Sequence, residues 1–156
     1  MYRILMICYG NICRSPMAEF ILKDLVKQRG LEHEFQIASR GTSAEELGNP
    51  VYPPARAELA RHGIDCAGKV SVRLRLEDYE DYDLLLGMDA LNMKTIPRMV
   101  GGDPDGKVHR LMEHAGGGDV DDPWFTRRFD IAYRDILKGC ETWLRRLTKE
   151  DASECL

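Results

Sequence analysis

Short, mostly apolar runs alternate along this chain with longer segments whose apolar residues recur at helical spacing. That alternation predicts an α/β fold: three layers, with a central four-stranded parallel sheet and helices on both faces. Two further observations narrow it. The chain has 156 residues, 44% of them hydrophobic and 31% charged, which is enough to bury a sizeable core within the size of one domain, so residues 1–156 are expected to fold as one unit. The first apolar run also passes through Gly and Asn directly into a helical pattern, the opening of a parallel fold with right-handed crossovers.

In order along the chain, Tyr2 to Ile7 reads as a buried strand, and Cys8-Tyr9-Gly10-Asn11 as the loop that ends it. After Ser15-Pro16, the residues Met17, Phe20, Ile21, Leu25 and Val26 follow helical spacing, with Pro16 suited to the first turn and Gly30 closing the segment. Phe35 to Ala38 is a second strand, followed by loop through Gly41, Gly48-Asn49-Pro50 and Pro53-Pro54. Pro54 to His62 is a helix ended by Gly63, Asp83 to Met88 a third strand, and Ala90 to Ile96 a helix stopped by Pro97. Lys107 to Leu111 is the fourth strand. Gly116 to Pro123 forms a glycine-rich, acidic loop, and Phe129 to Leu147 a long amphipathic helix, leaving a polar tail over Thr148 to Leu156. Ligand sites in parallel sheets lie at the carboxyl ends of the strands, which is where both Cys8 and the acidic loop fall.

Composition excludes several classes. With 22 basic and 26 acidic residues and a net charge of −4, the chain has the wrong sign for a nucleic-acid partner. No apolar run approaches the length of a membrane span and the N-terminus lacks a signal peptide's architecture, so no membrane partner and a cytoplasmic location are expected. Five cysteines, at 8, 13, 66, 140 and 155, are odd in number and scattered, which points to thiols rather than a disulfide framework. No Cys-x-x-Cys pair or His cluster offers zinc ligands, and neither a metal nor any other cofactor is expected.

The segment Cys8 to Ser15 carries the chemistry. Lying between a strand and a helix start, its backbone N–H groups and the helix dipole converge on one anion site. Gly10 and Asn11 tolerate the tight or left-handed backbone such a cradle needs. The same positive field favours thiolate over thiol, making Cys8 a candidate nucleophile. Arg14 supplies paired planar donors that match two oxygens of a phosphate. Ser15 either donates to the Cys8 sulfur or caps the helix. Spacing alone also allows a buried structural thiol at Cys8 and a solvated arginine at Arg14.

The run Cys8-Tyr9-Gly10-Asn11-Ile12-Cys13-Arg14-Ser15-Pro16 resembles the signature of the low-molecular-weight protein tyrosine phosphatases. The likeness extends through Ser39, Gly41-Thr42-Ser43, Gly48-Asn49-Pro50, Arg61-His62-Gly63-Ile64, Asp83, Met88-Asp89 and the late Asp122-Pro123. It implies hydrolysis of phosphotyrosine in a protein substrate through a phosphocysteine on Cys8, with Arg14 as the phosphate clamp. Asp122 would protonate the leaving phenolate and later activate water. Pro123 confines Asp122 to extended backbone. The acidic run Asp119, Asp121 and Asp122 would otherwise read as a solvated turn, and Asp121, if close, would raise the proton affinity of its neighbour.

The resemblance assigns the loop residues Tyr9, Gly10, Asn11, Ile12, Cys13 and Ser15 to substrate binding, and Trp124 and Phe125 to the walls of the slot. Ser39 would support the loop. Two positions depart from the family's pattern: Glu45 stands where an aromatic wall residue is usual, so one side of the slot should be polar. Gly68 stands where some members carry a histidine bracing Asn11, Ser15 and Ser39, a task left to water or Lys69. Ile12 replaces the smaller threonine of a relative acting on phosphoarginine, which favours phosphotyrosine. Cys13 is expected to trap an oxidised Cys8 as a disulfide. A monomer is expected.

Two other classes share the scaffold. An arsenate reductase would need a mid-chain cysteine pair for disulfide relay, and only Cys66 lies there. A silent phosphate-binding module would lack Cys8, Arg14 or Asp122, and all three are present.

Overall fold

The computed structural model describes residues 1–154, with side chains through Lys149; Cys155 lies outside the described residues. Four parallel strands form one sheet in the order β2-β1-β3-β4: β1 spans Tyr2–Cys8, β2 Phe35–Gly41, β3 Leu84–Gly87 and β4 Val108–Arg110. Cys8 pairs with Gly41, Ile4 with Leu84 and Leu85 with Val108. The α/β class and the four-stranded parallel sheet read from the sequence are therefore those of the molecule.

β1 is central because it is apolar on both faces. Its alternate residues feed two cores, as the strand's period of two requires. Ile4, Met6 and Cys8 join the larger core with Met17, Leu22, Leu59, Ile136 and Leu144, contributed by α1 (Arg14–Gln28), α2 (Pro53–Arg61) and α6 (Phe129–Glu154). Leu5 and Ile7 face the other side, packing with Tyr79, Ile96 and Val100 of α3 (Asp78–Asp81) and α4 (Ala90–Val100). Each such side chain, fully buried, contributes about 1.5–3 kcal/mol. Together they hold the carboxyl end of β1 between two packed layers.

Two helix boundaries differ from the sequence reading. Pro97 does not stop α4, which runs on to Val100 and ends at Gly101 in the left-handed conformation (φ 81°). A proline there removes one ladder donor, but Ile96 and Val100 are buried on either side of it and their packing holds the last turn. Nor does α6 end at Leu147: residues 148–154, read as a polar tail, continue the helix to Glu154. Once a helix is nucleated by a buried face, a polar sequence without Gly or Pro propagates it readily. The short helix α5 (Pro123–Thr126) stands where loop was expected, and α3 lies in a stretch to which the sequence reading gave no element. No helix among the described residues is long and apolar enough to cross a membrane.

Candidate active site

The loop from Cys8 to Arg14 is fixed from outside by its own carbonyls. Thr42 N–H donates to Cys8 O at 2.9 Å, Ser43 N–H to Tyr9 O at 3.0 Å, Tyr52 N–H to Ile12 O at 2.8 Å and Met17 N–H to Cys13 O at 3.0 Å. The Ser71 hydroxyl donates to Gly10 O at 2.9 Å. With those carbonyls turned outward, the N–H groups of Tyr9, Gly10, Ile12 and Cys13 meet no protein acceptor among the described residues. Loop N–H groups left without a protein acceptor beside a helix start are the donors from which anion-binding concavities are built.

Asn11 makes the turn possible. Its backbone is left-handed (φ 58°), a conformation that asparagine tolerates better than most residues. Its side chain then ties the loop to three neighbours: Nδ2 donates to Ser15 Oγ at 2.8 Å and to Ser39 Oγ at 3.0 Å, while Oδ1 accepts from Val72 N–H at 2.9 Å. The loop also needs Gly41 beside it, because a Cβ there would stand 2.9 Å from Tyr9 O and 3.0 Å from Asn11 Cβ.

The support network is complete without a histidine at position 68. Ser39 Oγ donates to Glu19 Oε1 at 2.6 Å, and the Lys69 ammonium donates to Ser39 O at 3.1 Å and stands 3.5 Å from Glu19 Oε1. Burial lowers the Lys69 pKa from its ordinary value and the Glu19 carboxylate opposes that shift. Glu19, itself buried, was missed in the sequence; its signal was an acid four residues after Ser15, on the same face of α1.

Cys8 Sγ accepts from Asn11 N–H at 3.3 Å and lies 2.9 Å from Ser15 Oγ. Arg14 is 3% exposed: Nη1 donates to Asp89 Oδ2 at 2.8 Å and to Val120 O at 3.0 Å, and Nη2 stands 3.5 Å from Asp122 Oδ2. Burial opposes the guanidinium's charge, but Cys8, Asp122 and Asp89 outweigh it and hold the Arg14 pKa above its ordinary value. Asp89 was named in the sequence reading only as part of the family likeness, with no role given to it. It caps α4 through Oδ1, which accepts from Asn92 N–H at 2.8 Å, so one carboxylate starts a helix and aims the arginine.

Asp122 has extended backbone (φ −75°, ψ 110°) as expected before proline, and caps α5 by accepting from Trp124 N–H at 3.0 Å. Asp121 borders a separate hollow with Thr126 and Arg128 and is not among the cleft's lining residues. Burial and the charge of Cys8 push the Cys13 thiol up. Cys8, Cys13, Cys66 and Cys140 are all free thiols, and no group of three or more metal-ligating side chains occurs among the described residues.

One cleft gathers Cys8, Tyr9, Gly10, Ile12, Cys13, Arg14, Glu45, Glu46, Asp122, Trp124 and Phe125. Asn11, Ser15 and Ser39 lie buried behind it. Glu45 makes one wall polar, but it also accepts from Tyr9 Oη at 2.9 Å, fixing an aromatic ring on that side. Trp124 also lines the cleft, with its ring 4.7 Å from Tyr52; Phe125, another lining residue, is 79% exposed.

The family model described as low molecular weight phosphotyrosine protein phosphatase matches residues 3–153. The chain is 35% identical to the low molecular weight protein-tyrosine-phosphatase YfkJ of Bacillus subtilis over 96% of its own length and 98% of that protein's. The crystal structure of YfkJ superposes with a TM-score of 0.92, each chain covered to 96%. SP-PTP, the low molecular weight protein tyrosine phosphatase from Streptococcus pyogenes, is 35% identical with a TM-score of 0.86, covering 99% of this chain and 98% of that one. A Drosophila arginine phosphatase is 29% identical with a TM-score of 0.85, covering 92% of this chain and 96% of that one. On the family match and these identities over nearly its whole length, the chain belongs to the low molecular weight phosphotyrosine protein phosphatases.

Proposed function

We propose that the chain hydrolyses phosphotyrosine in protein substrates through a phosphocysteine on Cys8. The observation that carries this reading is the meeting of Cys8, Arg14 and Asp122 in one cleft, with Asn11 N–H on the sulfur at 3.3 Å. The substrate phosphate meets the loop's N–H donors and takes Arg14 as its bidentate partner. Cys8 thiolate attacks phosphorus in line, forming the S–P bond as the bond to the tyrosine oxygen breaks. Asp122 gives its proton to that oxygen, and tyrosine leaves neutral. Asp122 carboxylate then removes a proton from water, which attacks phosphorus. The S–P bond breaks, releasing phosphate and restoring the Cys8 thiolate. Charge on the phosphoryl oxygens is met throughout by fixed N–H groups and Arg14, so the chemistry requires no metal.

Ile12 and the Tyr9 and Trp124 rings support an aryl substrate over phosphoarginine. Residues 1–156 act as one phosphatase domain in this reading, with a reducing cytoplasm as its compartment; four free thiols fit that setting. Redox control belongs to the same site: peroxide oxidises Cys8 thiolate to sulfenic acid with loss of hydroxide, and the Cys13 sulfur attacks it, the hydroxyl leaving with the Cys13 proton as water, to give a disulfide that a thiol reductant reopens.

Steady-state kinetics on a chromogenic aryl phosphate and on a phosphotyrosine peptide test the assignment. Cys8→Ser and Arg14→Ala should abolish turnover. Asp122→Asn should bind phosphate normally and turn over the peptide about 10²-fold or more slowly. Wild-type rates in Asp122→Asn would remove Asp122 from the mechanism.

A further inference from the structure

Beside the cleft, a second groove runs between α2 and the start of α6, bordered by Glu58, Arg61, His62, Arg127, Phe129 and Arg134 among others. Its charges do not cancel. Glu58 is buried and already shared, accepting from Arg61 at 3.1 Å and lying 3.1 Å from His62 Nε2. Asp130, also on the border, is tied to Arg128 at 3.0 Å. Arg134, itself exposed, reaches the half-buried Asp135 at 3.3 Å, a contact of little strength in water. Arg127 has no carboxylate partner among the described residues. Its guanidinium donates to Tyr52 Oη at 3.1 Å and to Trp124 O at 3.4 Å, and lies over the rings of Tyr52 and Phe129 at 5.3 and 5.5 Å. Its backbone is left-handed (φ 60°), a conformation costly to a long side chain and retained here at the junction of two clefts.

Arg127 stands where the groove meets the catalytic cleft. Tyr52, which it holds, packs against Trp124 at 4.7 Å, and Trp124 lines the cleft. With a phosphotyrosine ring between the cleft walls, the rest of the substrate chain must leave across a rim. Part of the cleft is lined by Glu45 and Glu46, and part by Trp124, whose carbonyl accepts from Arg127 at 3.4 Å. In a molecule of net charge −4, a groove bordered by three guanidinium groups, with its carboxylates internally engaged, is complementary to an acidic segment.

We propose that this groove receives the polypeptide flanking the phosphotyrosine, and that Arg127, backed by Arg61 and Arg134, selects substrates with Asp or Glu side chains there. The proposal rests on the phosphatase reading above and names the substrate class of that site. A peptide's carboxylate replaces water at guanidinium groups that are already ordered or exposed.

The test compares kcat/KM for matched phosphotyrosine peptides carrying either Glu or Gln at the flanking positions, with a small aryl phosphate alongside. The wild type should favour the Glu peptide by roughly three- to tenfold at low salt, the range of one or two surface charge pairs, and the preference should shrink at high salt. In Arg127→Gln that ratio should fall toward unity, whatever the absolute rate. In the double variant Arg61→Gln/Arg134→Gln it should fall while turnover of the aryl phosphate stays unchanged. Equal use of both peptides by the wild type, or a preference that survives in both variants, would overturn the proposal while leaving the catalytic reading intact. Failure of the wild type to turn over the aryl phosphate would instead strike the catalytic reading.

Discussion

At the residue scale, the two loop cysteines divide their tasks by environment. Cys8 faces donors: Asn11 N–H at 3.3 Å and the Ser15 oxygen at 2.9 Å. Cys13, at the start of α1, is buried, and that burial, with the charge of Cys8, pushes its thiol up. In the proposed redox step Cys13 must give up its thiol proton as its sulfur attacks the Cys8 sulfenic acid, the proton leaving with the hydroxyl as water. After peroxide treatment, dithiothreitol should restore the wild type well and Cys13→Ser poorly, because unprotected sulfenate proceeds to irreversible acids. Equal recovery in both proteins, read as residual aryl phosphate turnover, would show that Cys13 only packs beneath the loop.

At the element scale, the strand, loop and helix that open the chain were legible because every signal is local. An apolar run, Gly10-Asn11 and Pro16 lie within sixteen positions of the N-terminus, and each acts on its own backbone. Asp122 and its extended backbone were legible for the same reason, since Pro123 adjoins it. Of what holds the loop, Ser39 and Lys69 were named with the family likeness, but Glu19 and the role of Asp89 were not legible. Glu19 reaches Lys69 across 50 residues and Arg14 reaches Asp89 across 75, separations at which no periodicity speaks. Pro97 misled for a related reason: a local helix breaker was overruled by the burial of Ile96 and Val100.

The brace can be tested as an element. Lys69→Met would leave buried Glu19 with the Ser39 hydroxyl and the Lys23 ammonium, each 2.6 Å away, and would strip a donor from Ser39 O. We expect kcat to fall about tenfold with KM little changed and stability to drop by roughly 1–3 kcal/mol, the cost of a buried group left short of a partner. Lys69→Arg should recover most of both. Paired kinetics and urea titrations check this, and an unchanged kcat in Lys69→Met would confine the brace to stability.

At the scale of the whole molecule, acid sensitivity follows from carboxylates that join the far end of the sheet. The Arg3 guanidinium, bound to Asp83 at 2.8 Å, holds the Asp83 pKa below its ordinary value. Burial pushes Asp103 up, but the Tyr79 hydroxyl and the N–H groups of Lys107 and Val108 outweigh it and leave its pKa lowered. A carboxylate depressed on folding contributes stability that is fully present above its unfolded pKa, near 4, and is lost as pH falls through the lower folded value. The urea midpoint should therefore change little in these groups' favour between about pH 7 and 5 and decline below about pH 4. Asp83→Asn should lower stability at pH 7 and flatten that acid slope; an unaltered slope would mean that the Arg3 pair contributes nothing.

The whole fold delivers one arrangement: β1 ends on Cys8, the loop to Arg14 follows it, and Asp122, the cap of α5, lines the same cleft. Phosphocysteine formation is the claim on which everything else rests. In Asp122→Asn, an aryl phosphate with a good leaving group needs no proton to phosphorylate Cys8, but hydrolysis lacks its base, so the intermediate should accumulate. Rapid acid quenching followed by peptide mass spectrometry should find one phosphoryl group on the peptide containing Cys8 and none in Cys8→Ser. Continued turnover with no phosphoryl adduct, or an adduct on any residue other than Cys8, would contradict the mechanism.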